Sequence, residues 1–583
     1  MCGIFFSLST RNTQPNQETR TLLEKRGPDS THTHTVCREV KTQDAVSQPP
    51  QHLTFISTVL SLRGDHVYSQ PLIDSATQSV LCWNGEAWKI AGETVSGNDT
   101  ERVFNLFLQA VGDDCKDAPH KLAEAVATIS GPFAFVFYDA VNGRLFFSRD
   151  CLGRRSLLQG FEEDGSLRIS SLCDGSPSAL FEEVGFAGIY MINLDVYQDA
   201  SAAPKGQYKI EVLPWSSAPA PPAGHIKNPI PPMNMSVPRE TPPALTLDTP
   251  SVKELEARLR QSLELRIRGV PEPPGYVSGR SAKVAVLFSG GLDCTILARL
   301  SHDILPINEP IDLLNVAFEN PRVTAAANLN SKQQTSSSPS PTSAYEACPD
   351  RITGRSAFTE LQQACPGRTW RFIAIDIPYT ETLSHRDLVK RLMRPHNTEM
   401  DLSIACALYF ASRGQGTSHI PKADPEPYTT SARVLLSGLG ADELFAGYGR
   451  HGIAFNRSGF EGLVSEINLD VSRLGQRNLG RDDRVLCHWG RETRFPYLDE
   501  DFVAWVLRAP VWEKCGFGLP ELSDSDPEIR TIATLDREKM ALRLVALRLG
   551  LQSVAREKKR AIQFGARTAK MEKGRTKGTD TLT

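Results

Sequence analysis

No stretch of about 18 apolar residues runs without a charge, which excludes a membrane-spanning helix of the usual kind. The N-terminus, Met1-Cys2-Gly3-Ile4-Phe5-Phe6, lacks the basic flank and the cleavage pattern of a signal peptide. The 12 cysteines never fall as Cys-x-x-Cys, and no paired spacing suggests a disulfide framework or a zinc site. A reducing, cytoplasmic location is therefore expected. An excess of one charge is missing as well: a formal net charge of −3 provides no field for nucleic acid. What is present is ordinary for a soluble globular protein, with 40% hydrophobic and 23% charged residues. The 583 residues exceed what one core usually organises, so two large domains are expected.

Two shifts in composition divide the chain. Ser216 to Pro250 is rich in proline (Ala218-Pro219-Ala220-Pro221-Pro222, Pro231-Pro232, Pro242-Pro243) and reads as an extended connector. Residues 320–354, with Ser336-Ser337-Ser338-Pro339, read as a disordered insertion. These breaks predict a first domain over 1–210, a linker over 211–250, a second domain over 251–570 containing the insertion, and a polar tail over 571–583. Before the linker the pattern is β-rich. Phe133 to Phe147 is interrupted by Asn142-Gly143, a two-residue hairpin signal. A helix is expected after Asn98, with Asn98 and Glu101 forming a capping box and Val103, Leu106, Phe107 and Ala110 on its buried face. After the linker, continuous apolar runs (283–288, 313–318, 372–377, 434–436) alternate with helical segments, the pattern of a parallel sheet covered on both faces. Leu255, Leu259 and Leu263 mark an amphipathic helix leading into it.

Cys2 stands where removal of the initiator methionine would expose it with a free α-amine. That amine, with an ordinary pKa of about 7.7–8.0, can take the thiol proton near neutral pH, directly or through water. Three further segments follow in order: Lys25-Arg26-Gly27-Pro28-Asp29, Trp83-Asn84-Gly85-Glu86 and Ser96-Gly97-Asn98-Asp99-Thr100-Glu101. Read singly, they are also a turn, a hairpin and a helix cap. Read together with Cys2-Gly3-Ile4, their order resembles the class II glutamine amidotransferases, over roughly residues 2 to 195. The resemblance implies an N-terminal-nucleophile αββα sandwich whose glutaminase uses Cys2 as nucleophile and Asn84 and Gly85 as the oxyanion hole. It also implies that Asp99 holds the substrate α-ammonium and Glu86 shapes the pocket. Arg63 has the planar fork that can grip the glutamine carboxylate.

In the second half, Leu287-Phe288-Ser289-Gly290-Gly291-Leu292-Asp293-Cys294 places a Ser/Gly turn between a strand and a helix, where backbone N–H groups and the helix N-terminus can receive phosphate. A Walker Gly-Lys-Ser/Thr is absent, which disfavours the P-loop class. The turn resembles the S-G-G-x-D-S loop of ATP pyrophosphatases, with Cys294 in place of the final serine. Ser437-Gly438-Leu439-Gly440-Ala441-Asp442-Glu443 resembles the S-G-E-G-S-D-E segment of asparagine synthetases, with Leu439 in place of a glutamate. Asp442 and Glu443 can equally be read as a helix N-terminus. Together these segments imply a doubly wound parallel α/β ATP-pyrophosphatase domain. ATP would meet Leu287, Ser289, Gly290, Gly291, Asp293, Ser437 and Gly438, and Mg²⁺ would bind Asp293 and Asp442. Glu492 and Arg494 would lie at the acceptor. Lys559, with Lys558 as the neighbouring candidate, would stabilise the adenylation transition state.

The set Ile352-Thr353-Gly354-Arg355, Arg477 to Arg484 and Ala561 to Gly565 is similar to the asparagine synthetase domain-containing branch of that family, which shares the insertion and lacks the glutamate. The function this implies is glutamine- and ATP-dependent amidation, with aspartate as the expected acceptor and AMP and pyrophosphate as products. A glutaminase with another acceptor, or a non-catalytic nucleotide-binding scaffold, stands as the alternative. Partners are expected to be small molecules, without nucleic acid or membrane.

Overall fold

The computed structural model describes residues 2–39, 49–112, 117–175, 181–196, 208–323, 325, 343–520, 527–571 and 577–582. It divides into two compact units. The first comprises Met1–Pro231 together with Arg391–Pro395 and Leu474–Arg491; the second holds the remainder.

The first unit is built on two sheets. One has the strand order Glu182–Glu183, Leu158–Phe161, Leu167–Ser170, Gly3–Ser9, Gln51–Val59 and Ser30–Arg38. The other runs Ile226–Lys227, Ile210–Ser216, Gly188–Asn193, Arg144–Arg149, Phe133–Asp139, Val80–Gly85 and Leu72–Ile73. The central strand Phe133–Asp139 shows why the sequence there is apolar throughout. Ala134, Val136 and Tyr138 point into the core shared with Ile4, Phe6 and Phe55 of the first sheet, while Phe133, Phe135 and Phe137 point into the core under the helices Thr100–Val111 and Ala118–Ala127. Helix Gln17–Arg26 packs on the first sheet, completing helix–sheet–sheet–helix layering. The hairpin turns through residues 140–143, a longer loop than the two-residue turn expected at Asn142-Gly143, with Gly143 at φ +60° and Arg144 opposite Asp139.

Two expectations need correction. Ile210–Ser216 is a strand of the second sheet, paired with Gly188–Asn193, and Ile226–Lys227 pairs with it in turn. The proline-rich composition of the expected connector conceals them. The capping box also fails. Asp99 is the N-cap residue and makes no side-chain cap bond, while Asn98 Oδ1 accepts from Thr100 N at 2.9 Å.

In the second unit the sheet order is Glu426–Thr429, Gln415–His419, Trp370–Ile377, Ile311–Phe318, Val284–Leu287, Val434–Leu436 and Glu492–Arg494. The last five are parallel, and the first two form an antiparallel hairpin on one edge. Chain order among the parallel strands reverses between Val284–Leu287 and Val434–Leu436. Right-handed crossovers on either side of that reversal put helices on opposite faces, so the sheet is doubly wound and a crevice opens at the carboxyl ends of these two strands. Helix Pro250–Ile267 buries Leu255, Leu259 and Leu263, as their spacing predicts. The expected insertion is shorter than its composition suggests. Pro349–Ala364 is a helix with proline at its N-terminus and Asp350 in its first turn. Residues 324 and 326–342 of the insertion lie outside the described residues, as do residues 572–576 and 583 of the tail expected from 571, while Lys577–Leu582 packs near Glu399 and Met400.

Candidate active sites

The first site gathers at one edge of the sandwich. Cys2 immediately precedes the strand Gly3–Ser9 and is buried. Its backbone nitrogen donates to Asn84 Oδ1 at 2.9 Å, and Gln70 Nε2 lies 3.9 Å from its Sγ. Gln70 is fixed in turn by accepting from Trp83 N at 2.7 Å, a residue missed in the sequence. Because Asn84 spends its carbonyl on Cys2, its amide can only donate elsewhere. Asn84 Nδ2 is buried and has no hydrogen-bond partner among the described residues. A buried donor left unsatisfied in this way costs about 1–3 kcal/mol unless a ligand supplies the acceptor. Gly85 must be glycine, since a Cβ there would lie 2.3 Å from the Pro132 carbonyl oxygen.

Asp99 is diverted from capping its helix because Oδ2 accepts from Ala87 N at 2.6 Å. Burial raises its pKa, and the charge of Arg63 opposes that rise. Arg63 itself differs from the expected carboxylate grip. Its guanidinium donates to the carbonyls of Ala87 at 2.9 Å, Gly97 at 3.2 Å and Val95, with the ring of Trp88 5.2 Å away. It braces the loop that carries Asp99. The Arg26-Gly27-Pro28-Asp29 segment is structural: Arg26 is fully buried against Asp483 at 2.8 Å, and Gly27 presses on the Thr58–Val59 backbone.

The second site occupies the crevice of the parallel sheet. Ser289 to Asp293 leaves the strand Val284–Leu287 and enters the helix Leu292–Ile304, with Gly291 as N-cap. Gly290 has φ +80°, a conformation glycine adopts without strain. Cys294 occupies the serine position in kind: Sγ lies 3.6 Å from Ser289 Oγ and donates to Gly291 O at 3.4 Å, and burial raises its pKa. From the neighbouring strand, Ser437 N donates to Arg494 O at 3.1 Å, and Gly438 comes so close to Asp293 that a Cβ would lie 2.7 Å from Asp293 Cβ.

The two loops thereby bring Asp293 and Asp442 together. Lys539 Nζ bridges them, 2.6 Å from Asp293 Oδ2 and 2.7 Å from Asp442 Oδ1, and Lys559 Nζ is 2.5 Å from Asp442 Oδ2. Lys559, not Lys558, is the member of the basic run that reaches the site. The two ammonium groups hold the Asp442 carboxyl below its ordinary pKa, whereas burial raises Asp293. Asp293 Oδ1 is buried with no hydrogen-bond partner among the described residues, so a hard cation fits these carboxylate oxygens. Glu443, raised by burial and by Asp442, accepts from Tyr448 Oη at 2.6 Å. Glu492 and Arg494 are buried and paired with one another at 2.8 Å, and Arg494 also donates to the Arg266 carbonyl. They brace the edge strand beside the Ser437 loop. Leu439 offers no ligand, its N–H donating to Ser437 Oγ at 3.3 Å.

Lys539 was not legible locally. It lies 246 residues from Asp293, and only its left-handed backbone, φ +56°, at the start of the helix Met540–Arg548 marks it in the structure.

Comparison with known proteins finds two family matches along the chain. The glutamine amidotransferase domain family matches residues 1–188, and the asparagine synthase family matches residues 458–577. Asparagine synthetase domain-containing protein 1 of Bos taurus is 33% identical over 655 residues, covering 99% of this chain and 97% of that protein. Its counterpart in Gallus gallus is 34% identical over 663 residues, covering 99% and 98%. A Saccharomyces cerevisiae asparagine synthetase domain-containing protein is 32% identical over 542 residues, covering 91% and 86%. With the N-terminal cysteine site, the paired-aspartate crevice and relatives aligned end to end, the chain belongs to the asparagine synthetase domain-containing protein 1 family.

Proposed function

We propose that the first unit hydrolyses glutamine at Cys2 and that the second activates a carboxylate, expected to be that of aspartate, with ATP and Mg²⁺. The observation that carries this reading is Asn84. Its oxygen orients the Cys2 nitrogen, while its buried Nδ2 waits for an acceptor, as an oxyanion donor must. Once Met1 is removed, the Cys2 amine accepts the thiol proton, directly or through water, and Sγ forms a bond to the glutamine amide carbon. Asn84 Nδ2 and the Gly85 N–H stabilise the oxyanion. The amine returns its proton to the departing ammonia, and water then cleaves the thioester to release glutamate. Asp99, held by Ala87 N beside Arg63, would receive the substrate ammonium, and Glu86 would shape the pocket.

In the second unit Ser289, Gly290, Gly291, Ser437 and Gly438, with Leu287 at the strand end, would receive the nucleotide. Asp293 and Asp442 would hold Mg²⁺, which when bound supplies charge stabilisation to the phosphates. Lys559, already seated on Asp442, would compensate charge as the acceptor carboxylate attacks the α-phosphorus and pyrophosphate leaves. Glu492 and Arg494 would support the acceptor from the adjoining edge strand. A second reading, in which this unit binds nucleotide without chemistry, is favoured by one observation: Leu439 puts an aliphatic side chain in the crevice loop where the resemblance implies a carboxylate. One assay separates the two readings. Glutamate, AMP, pyrophosphate and asparagine are followed with glutamine or ammonia as donor, in the wild-type chain and in Cys2→Ala. Glutamate release is expected to vanish in Cys2→Ala, while ammonia-dependent pyrophosphate release survives. Unchanged glutamate release would remove the first half of the proposal, and absence of pyrophosphate with every donor would leave the binding reading.

A further inference from the structure

We propose that Lys539 is a resident counter-ion occupying the place of a divalent cation between Asp293 and Asp442, so that the crevice excludes bare metal and admits it only together with a polyphosphate. The inference rests on reading the second unit as one that uses a metal–nucleotide complex.

The geometry is that of a built contact. The Lys539 side chain is 4% exposed, and its ammonium touches both carboxylates at hydrogen-bond distance. Its stem runs across Gly447, where a Cβ would lie 2.2 Å from Lys539 Cε and 2.2 Å from Asp442 Oδ1. Only glycine leaves room for that path. The backbone is anchored at the same point, with Lys539 N donating to Phe445 O at 3.0 Å and Arg543 N donating to Lys539 O at 3.0 Å. These fastenings leave the end of the side chain as the part free to exchange partners.

Charge decides which ligand can displace it. With Lys559 also on Asp442, two carboxylates are matched by two ammonium groups, so these four side chains together carry no net charge. A bare divalent ion would enter a neutral, largely buried cluster beside two cations, losing its hydration without net attraction. A complex of one divalent ion with fully ionised ATP carries net negative charge. It brings the cation to the carboxylate oxygens and phosphate oxygens to the displaced ammonium, so every charged group keeps a partner. Lys539 is thus a positioning residue that couples metal entry to polyphosphate entry.

The coupling is measurable without turnover. Binding of Mn²⁺ alone, followed by its electron paramagnetic resonance signal in nucleotide-free full-length protein, is compared in the wild type, Lys539→Met, Lys539→Arg and the double variant Lys539→Met/Asp293→Asn. Lys539→Met should gain one Mn²⁺ site at least about tenfold tighter than any in the wild type, a coupling well within the usual range. That site should be lost in the double variant, and Lys539→Arg, which keeps the charge, should exclude Mn²⁺ as the wild type does. In calorimetry with Mg²⁺ and α,β-methylene-ATP, Lys539→Met should lose about tenfold or more in affinity. Equal Mn²⁺ binding by wild type and Lys539→Met would overturn the proposal. If no protein bound the nucleotide analogue, the nucleotide reading would fail, while the Mn²⁺ comparison would still decide the place of Lys539. Should Lys539→Met not fold, Mn²⁺ binding by the wild type alone, abolished in Asp293→Asn, would overturn the proposal, and its absence with bound Mn²⁺ appearing only on addition of the analogue would uphold it.

Discussion

Gly290 and Gly354 meet backbone to backbone: a Cβ on Gly290 would lie 2.4 Å from Gly354 N and 2.5 Å from its Cα. The Ser289–Gly291 turn therefore leans on the helix Pro349–Ala364, and Gly290 cannot carry a side chain without moving that helix. Asn315 fastens the same junction, Nδ2 donating to Phe288 O and to Asp350 O at 2.9 Å each. Gly290→Ala adds the strain of a positive φ to this clash. It should weaken Mg-ATP binding about tenfold or more, measured by calorimetry. Gly354→Ala, whose Cβ would lie 2.7 Å from Asn315 Nδ2, should lower both nucleotide affinity and melting temperature. Wild-type affinity in both variants would show that the junction does not shape the turn.

The proposed function gives Asn84 two duties that substitution can separate. Asn84→Asp keeps an oxygen for the Cys2 nitrogen but removes the Nδ2 donor, whereas Asn84→Ala removes both. Loss of one oxyanion donor typically costs about 10²–10³ in rate. Both variants should therefore lose glutaminase kcat by roughly that factor, and Asn84→Ala should in addition lose the position of Cys2, read as slower alkylation of its thiol by iodoacetamide. Equal alkylation and undiminished kcat in both would end the oxyanion assignment.

Much of this arrangement is written locally. The Ser289–Asp293 turn, the Ser437–Asp442 turn and the apolar strands before them are each encoded within a few residues, because a buried parallel strand needs apolar side chains on both faces and a tight strand-to-helix turn needs glycine. The switch point follows from strand order and needs the fold. What stayed hidden depends on distant partners or on competing local signals. Lys539 meets Asp293 only through the tertiary fold. Asp99 looks like half of a capping motif, yet its carboxylate goes to Ala87 N. Ile210–Ser216 looks like the start of a proline-rich connector because much of it is solvent-facing, yet it pairs residue by residue with Gly188–Ile192. The serine-rich window blurred the start of the helix at Pro349, although Cys348-Pro349-Asp350 carries an ordinary helix-start signal.

Arg26 and Arg155 converge on Asp483 within the first unit, at 2.8 Å and 3.4 Å, and Ser156 N donates to the same carboxylate at 3.1 Å. All three charged side chains are buried. The arginines hold Asp483 below its ordinary pKa against the opposing effect of burial. A depressed carboxyl pKa contributes stability that is complete above the unfolded value near 3.8 and disappears as pH falls through the lower folded value. Asp483→Asn takes the paired anion from buried Arg26 and removes one ion-pair contact of Arg155, and should cost about 3–5 kcal/mol at pH 7. Urea unfolding of the wild type and variant from pH 7 to pH 3 should show the difference shrinking only at the acid end. A difference constant to pH 3, or absent at pH 7, would show that the cluster does not stabilise the unit.

Asp350 titrates in the opposite sense. Burial raises its pKa to about 7, opposed mainly by Arg560, whose guanidinium lies 3.5 Å away. Gly565 closes over it, since a Cβ there would lie 2.0 Å from the carboxylate. The unfolded chain deprotonates this group near pH 3.8, while the folded chain retains the proton to about 7. Stability is therefore highest below the unfolded value, falls as pH rises from about 4 to 7, and levels off above it. The loss is at most about 4 kcal/mol, the free-energy equivalent of a shift of this size. Asp350→Asn keeps the shape without the charge and should flatten stability between pH 4 and 7, with its gain over the wild type greatest at pH 7 and above. Arg560→Met removes the opposing cation and should move the wild-type decline to higher pH. Denaturant unfolding from pH 4 to 9 on the full chain reads both effects. If Asp350→Asn is less stable than the wild type at pH 8, the carboxylate is ionised and paired in the folded protein, and the sense of the titration assigned here is reversed.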